Sequence, residues 1–358
     1  MVTASLSVRT GVPMGPRTTM GVGGPARHLV EASSEAEVIA ALDWAATRRL
    51  DLYVLGGGSN VVVADAGVDG LVLQVALRGV ETRFAGDAVE LTAAAGEPWD
   101  DVVRLAVERG WAGLECLSGI PGLVGATPIQ NVGAYGQEVS ETIARVRAVD
   151  RRTGRAVELG PAECGFGYRD SVFKRDEAGR HVVTAVTYWL RAGGAPTVRY
   201  ADVERHLAER GVARPALGDV RESVLAIRRG KSMVLDPGDE NRRSCGSFFL
   251  NPVVDAGAAA RAAAAAAAAG SPDMPRWPQA GGRVKLSAAW LIERAGFRRG
   301  ERDGAVGLST RHALAIVCRD GATAADVARL AARIRDAVRA RFGIDLEPEP
   351  ARWGGLTI

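Results

Sequence analysis

The sequence predicts a chain of mixed helices and strands in two or three structural units, and three features point that way. Its 358 residues exceed one minimal core but fall short of many domains. Helices with clear start signals stand near both ends. Between them, short apolar runs are separated by glycine-rich turns rather than by the crossover helices of a doubly wound sheet.

Ser34-x-x-Glu37 is a capping-box signal, and Val38, Ile39, Leu42, Ala45 and Ala46 follow at helical spacing, which predicts a first helix. Residues 52–55 read as a short strand ending in Gly56-Gly57-Gly58-Ser59-Asn60, and residues 61–64 and 71–75 read as further strands. A second helix is expected over 99–109, a strand over 182–190 and a helix around 203–210, with a domain boundary near Arg228-Arg229-Gly230-Lys231. Residues 258–269 are almost pure alanine, interrupted by Arg261. They can form a helix from propensity alone but offer no large side chain to dock it, so they read as a tolerated insertion or a weakly packed helix. A last long helix starts at Thr323 with Asp326 in the box position. Its stripe of Val327, Leu330, Ala331, Ile334 and Val338 predicts packing on a sheet.

Composition excludes several classes. Hydrophobic residues at 47% and charged residues at 24% are ordinary for a globular chain, and 45 basic against 42 acidic residues argue against a nucleic-acid or membrane-surface protein. Cys116, Cys164, Cys245 and Cys318 form no C-x-x-C pair, so neither a zinc knuckle nor a disulfide framework is suggested and a metal site is not expected. Residues 1–10 lack the pattern of a signal peptide, and no run reaches the roughly 18 apolar residues of a membrane span, so a cytoplasmic protein is expected.

Two glycine-rich segments invite a ligand. The glycines of 56–60 permit positive φ and close approach, so successive main-chain N–H groups can converge on phosphate oxygens; alone, such a triplet is as readily a plain turn. About sixty residues on, Ser118-Gly119-Ile120-Pro121-Gly122-Leu123-Val124-Gly125-Ala126-Thr127-Pro128-Ile129-Gln130-Asn131-Val132-Gly133-Ala134-Tyr135-Gly136 suits neither helix nor strand. It suits backbone laid flat against a large planar ligand, or else a surface loop, although Ile120, Leu123, Val124 and Ile129 weigh against full solvation.

Six motifs in order then become specific: Thr19-Met20-Gly21-Val22-Gly23-Gly24, Gly56-Gly57-Gly58-Ser59-Asn60, the 119–136 segment, Tyr168-Arg169-Asp170-Ser171-Val172-Phe173-Lys174, Gly246-Ser247-Phe248-Phe249-Leu250-Asn251-Pro252 and Glu347-Pro348-Glu349. Together they resemble the UDP-N-acetylenolpyruvoylglucosamine reductase family, from about residue 18 to the C-terminus. The resemblance implies an α+β protein: an FAD-binding domain of the vanillyl-alcohol-oxidase/PCMH type in two subdomains, residues 1–70 and 71–222, and a C-terminal α+β substrate-binding domain, residues 223–358. It implies reduction of UDP-N-acetylglucosamine enolpyruvate to UDP-N-acetylmuramate for peptidoglycan, with FAD as cofactor, NADPH as donor and no covalent flavin link. A monomer without nucleic-acid or membrane partners is expected. Thr18 stands where the family often has asparagine.

The resemblance also implies site residues. Gly56, Gly57, Gly58, Ser59 and Asn60 would hold the FAD pyrophosphate. Gly119, Pro121, Gly122, Gly125, Ala126, Gln130, Asn131, Gly133, Ala134 and Tyr135 would border its flavin ring and adenine side. Hydride delivery to the terminal carbon of an enolpyruvyl ether puts negative charge on the neighbouring carbon and its carboxylate, so the site needs a cation and a proton source. Arg169 can engage that carboxylate bidentately, its alternative being a surface salt bridge. Ser247 matches the family's proton donor, and Glu349 matches the carboxylate that assists it or stabilises the enol form; the alternative for Glu349 is an exposed carboxylate near a disordered end. Tyr200 matches the substrate-covering tyrosine of the longer-loop variety, or is a half-buried strand tyrosine. Lys231 and Asn251 match contacts to the nucleotide diphosphate or sugar. Two other readings remain: another FAD oxidase or dehydrogenase acting on an alcohol or hydroxy acid, and a catalytically silent flavin-binding module.

Overall fold

The computed structural model describes residues 6–175 and 179–358. They form two compact units. The first draws on the chain up to Val12, Ala26–Gly57 and Asp69–Leu235, and the second on Pro13–Pro25, Gly58–Val68 and Asp236–Ile358.

Two sheets organise the first unit. One orders its four strands Arg9–Pro13, Pro25–Ala32, Val68–Val75 and Asp51–Leu55, the last two parallel. The helix Glu35–Thr47 begins at the predicted cap: Ser34 Oγ accepts from Glu37 N at 3.2 Å, while the Glu37 carboxylate reaches back to Ser33 N at 2.6 Å rather than to Ser34. Its buried stripe is Val38, Ala41, Leu42 and Ala45; Ala46 lies one position too far round the helix and faces water. The other sheet is antiparallel, ordered Arg155–Leu159, Ile143–Asp150, His181–Ala192, Ala88–Ala94 and Val80–Ala85, with Trp111–Ala112 pairing the end of His181–Ala192. Trp99, which opens the helix Trp99–Glu108, and Tyr188 of the central strand are fully buried in the core of this unit.

A smaller helical layer follows. Ala201–Glu209 and Leu217–Gly230 bury Val203, Leu207, Val220 and Val224 against Cys116. The second of these helices carried no start signal because Ala216 occupies its cap. Asp219 supplies the missing half, its carboxylate accepting from Ala216 N at 2.9 Å.

The second unit has its own core, built on two three-stranded sheets and the helices Ala256–Ala268, Ala288–Arg294 and Ala324–Phe342. Thr323 and Asp326 cap the last helix reciprocally, and all five residues of its predicted stripe are buried. Ala351–Trp353 runs parallel to Val61–Val63, which ties the C-terminal strand to the strand that leaves the glycine turn. The alanine run differs from expectation: it is a docked helix, with Asp255 as its N-cap and Ala259, Ala262 and Ala266 buried. Methyl groups one turn apart let its backbone come close to the neighbouring helix, so small side chains are the means of packing and not a lack of it. Among the described residues, no helix is long and apolar enough to cross a membrane.

This packing is testable by size. Ala262→Leu should overpack the contact and cost about 1–3 kcal/mol in denaturant unfolding, whereas Ala264→Leu on the exposed face of the same helix should change stability by less than about 0.5 kcal/mol.

Candidate active site

The 119–136 segment is mostly sheltered, so it is not a surface loop. It is pinned through its backbone: Gly122 O accepts from Trp99 N at 3.0 Å, while Val124 N and Gly125 N donate to Glu97 O and Ala95 O, each at 2.9 Å. A short 3-10 turn at Val124–Ala126 and one helical turn at Thr127–Gln130 follow, and Thr127 Oγ1 shares a hydrogen bond of 2.8 Å with the buried Tyr188 hydroxyl.

Its second half is laced to the loop that carries Arg169. Ser171 Oγ donates to Ile129 O at 2.8 Å, Asn131 Nδ2 to Gly167 O at 2.8 Å, and Lys174 Nζ to Gln130 Oε1 at 3.2 Å and to Arg169 O at 2.9 Å. The half-buried Arg169 guanidinium donates to the main-chain carbonyls of Asn131, at 3.2 Å, and of Gly133. This orients it as a positioned group, unlike the surface salt bridge considered above. The Asn131 side chain is itself committed, donating to Glu138 at 2.8 Å and accepting from Ser140 N at 3.2 Å, so it braces the segment internally. Among the described residues, five non-glycine residues have positive φ. Asn131 (41°), Tyr135 (49°) and Arg169 (53°) lie here, and Ser232 (55°) adjoins Lys231. Such strain collects where a fold must aim groups rather than merely pack them.

Tyr135 meets Tyr200 edge to face, with ring centroids 5.4 Å apart. Tyr200 is no strand residue: it stands at the N-cap of Ala201–Glu209, 44% exposed. Lys231, just past Leu217–Gly230, pairs with Asp202 at 3.3 Å and lies 6.0 Å from the Tyr135 ring centroid. Arg228 belongs here too, although no motif had singled it out as a ligand group. Burial holds its guanidinium below the usual arginine range, with Arg169 adding like-charge repulsion; Tyr135 and Asp100 act in the opposite sense. Its Nε is buried without a hydrogen-bond partner. Arg169, Lys174, Arg228 and Lys231 therefore make a basic neighbourhood suited to an anion.

The 56–60 turn adjoins the second glycine segment. A Cβ on Gly57 would come within 3.1 Å of Gly122 Cα, so the two backbones approach as only glycine allows. Gly58 has φ +66°, and a Cβ there would run into Arg17 O. In the second unit, Thr19 N donates to Gly58 O at 3.0 Å, and the Thr19 hydroxyl is buried without a partner. Asn60 O accepts from Ala351 N at 3.0 Å.

Ser247 and Glu349 are gathered by strand pairing within the second unit. Phe249 pairs with Pro348 antiparallel, Leu250 N donates to Glu347 O at 2.9 Å, and Glu349 N donates to Phe248 O at 2.9 Å. The buried Phe248 and Phe249 anchor this bridge in the core. Ser247 is part-buried, and its hydroxyl makes no hydrogen bond among the described residues. Glu349 is also part-buried and held by this bridge, which removes the reading of a frayed terminal carboxylate; Glu347 is exposed. Burial first, and then the charge of Glu349, push the Cys245 thiol up, so it stays protonated at neutral pH and is no rival nucleophile. Asn251 Oδ1 accepts from Ala288 N at 3.0 Å, which leaves its NH2 end for a ligand.

These features fit the expected dinucleotide cofactor. An added Cβ at Gly56 would meet nothing within 4 Å, and the two orphan donors, Thr19 Oγ1 and Arg228 Nε, each lie buried beside a glycine segment where an acceptor would satisfy them. Thr19 opens the first of the six motifs and Arg228 lies in a basic run, but only the count of buried donors reveals that each has an orphan polar atom.

Comparison with known proteins agrees. The family model for the UDP-N-acetylenolpyruvoylglucosamine reductase C-terminal domain matches residues 236–353, and that for an FAD binding domain matches residues 26–160. UDP-N-acetylenolpyruvoylglucosamine reductase of Saccharopolyspora erythraea is 48% identical over 95% of this chain and 94% of its own, and that of Thermobifida fusca is 46% identical over 97% and 98%. The crystal structure of the enzyme from Thermus caldophilus is 25% identical and superposes with a TM-score of 0.66 over 98% of this chain and 99% of its own. On these matches over nearly its full length, and with an α+β architecture to suit them, this chain belongs to the UDP-N-acetylenolpyruvoylglucosamine reductase family.

Proposed function

We propose that the chain reduces the enolpyruvyl double bond of UDP-N-acetylglucosamine enolpyruvate, giving UDP-N-acetylmuramate for peptidoglycan synthesis, with NADPH as donor. When bound, FAD would supply the two-electron redox chemistry that links NADPH to the alkene. Gly56 to Asn60, with Thr19, would hold its pyrophosphate, and the 119–136 segment its ring system; the open space at Gly56 and the orphan donors support this.

Hydride addition leaves negative charge on the substrate's ether-bearing carbon and its carboxylate. Arg169, fixed by two main-chain carbonyls, presents a permanent cation to that carboxylate. The Ser247 hydroxyl gives its proton to the carbon, which completes the addition of hydride and proton across the double bond. Glu349 supports the proton transfer from the neighbouring strand. The observation that carries this assignment is the Phe249–Pro348 bridge, which brings an uncommitted hydroxyl and a carboxylate onto adjacent backbone. Tyr200, Lys231 and the Asn251 amide are assigned to the sugar nucleotide, since they present a movable ring, a cation and a donor.

We assign residues 1–70 and 71–222 to the two subdomains that bind FAD and residues 223–358 to the substrate domain, supported by the separate core of the C-terminal part. We further propose a monomer in the cytoplasm, without nucleic-acid partners; four buried free thiols and a near-balanced charge favour a reducing compartment and no polyanion.

Anaerobic mixing separates the two half-reactions. The yellow protein should bleach with NADPH and reoxidise on adding the enolpyruvyl sugar nucleotide; failure to reoxidise rejects the substrate. Ser247→Ala should slow reoxidation roughly 10²–10⁴-fold while bleaching is unchanged, and equal loss of both would remove Ser247 from the proton step. Arg169→Lys keeps the charge but loses the planar fork, so kcat/KM for the sugar nucleotide should fall by about two orders of magnitude with little change in the rate of bleaching by NADPH.

A further inference from the structure

Asp100 lies outside every motif above, yet its carboxylate joins three elements of the first unit. It is the second residue of Trp99–Glu108, and its Oδ1 accepts from Gly119 N at 2.6 Å and from Arg221 Nη1 at 2.7 Å, while its Oδ2 accepts from Arg221 Nη2 at 2.8 Å. Arg221 belongs to Leu217–Gly230, and its side chain is only 12% exposed while that of Asp100 is 38% exposed, so the bidentate pair is sheltered on the arginine side. Burial pushes the Asp100 carboxyl up, but Arg221, the Gly119 amide and Arg228 outweigh it and hold it below the usual range, so it is ionised at neutral pH.

Gly119 is wedged against the same helix. A Cβ there would come within 2.7 Å of Leu225 Cδ2 and 3.5 Å of Arg228 Nε. Arg228 is held at its other end by Met233 O, which accepts from Nη2 at 2.6 Å, so its partnerless Nε sits beside Gly119. One carboxylate thus fixes both the start of the glycine segment and the helix that carries the orphan donor.

We propose that Asp100 is a positioning residue, setting where Gly119 and Arg228 meet the bound FAD; this rests on the reading that the 119–136 segment faces the flavin. A plain helix-to-helix ion pair would act only on stability. The alternatives separate in the purified holoenzyme. Asp100→Ala removes both the acceptor for Gly119 N and the partner of Arg221; Arg221→Met removes the pairing but leaves the carboxylate on the Gly119 amide. Both should lower thermal stability similarly. Asp100→Ala should weaken FAD binding by about tenfold or more and shift the visible flavin absorption, whereas Arg221→Met should weaken it by less than about threefold with an unchanged spectrum.

Equal effects of the two substitutions on FAD affinity and spectrum would overturn the inference. If Asp100→Ala does not fold, Asp100→Asn decides: it keeps a neutral acceptor for Gly119 N, so its FAD affinity should stay within about threefold of the parent, and a tenfold loss overturns the positioning role. A parent protein that binds no flavin would overturn the proposed function along with this inference, and would be recognised before any substitution is made.

Discussion

The backbone of the 119–136 segment has to be satisfied without a regular ladder, and the rest of the candidate site follows from how that is done. Buried main-chain N–H and C=O groups need partners wherever they lie. Here the partners come from residues 95–97, the Trp99–Glu108 helix and the Arg169 loop. Each bond that satisfies the segment also orients the group that makes it. Arg169 is aimed because two carbonyls need donors, and Asp100 is held because an amide needs an acceptor.

The second unit solves a different problem with a shorter device. A serine hydroxyl is a weak acid, and a carboxylate near the end of a chain tends to fray. Two buried phenylalanines and one antiparallel bridge remove the second difficulty, since the core holds Phe248 and Phe249 and the bridge carries Ser247 and Glu349 with them. The placement of Ser247 and Glu349 is therefore inherited from packing, since they sit beside a hydrophobic anchor and not on a free loop.

The alanine helix shows the same economy in the scaffold. Without bulky side chains it docks through Ala259, Ala262 and Ala266, and it could only do so if the contact were close. Composition suggested weak packing because it counts apolar volume, while the fold uses the absence of volume.

Local interactions were decided by the sequence itself. The side-chain cap at Ser34, the capping box at Thr323, the apolar stripe of the last helix and the glycine turn at 56–60 depend on residues a few positions apart, and ordered motifs were enough to indicate an FAD-binding α+β family. Tertiary structure alone decided what depends on distant partners: the acidic half-cap of Leu217–Gly230, Tyr200 at a helix cap instead of on a strand, the committed side chain of Asn131, and the orphan donors of Thr19 and Arg228. Whether a polar atom is satisfied is a sum over neighbours from remote parts of the chain, and no local pattern of residues contains that sum.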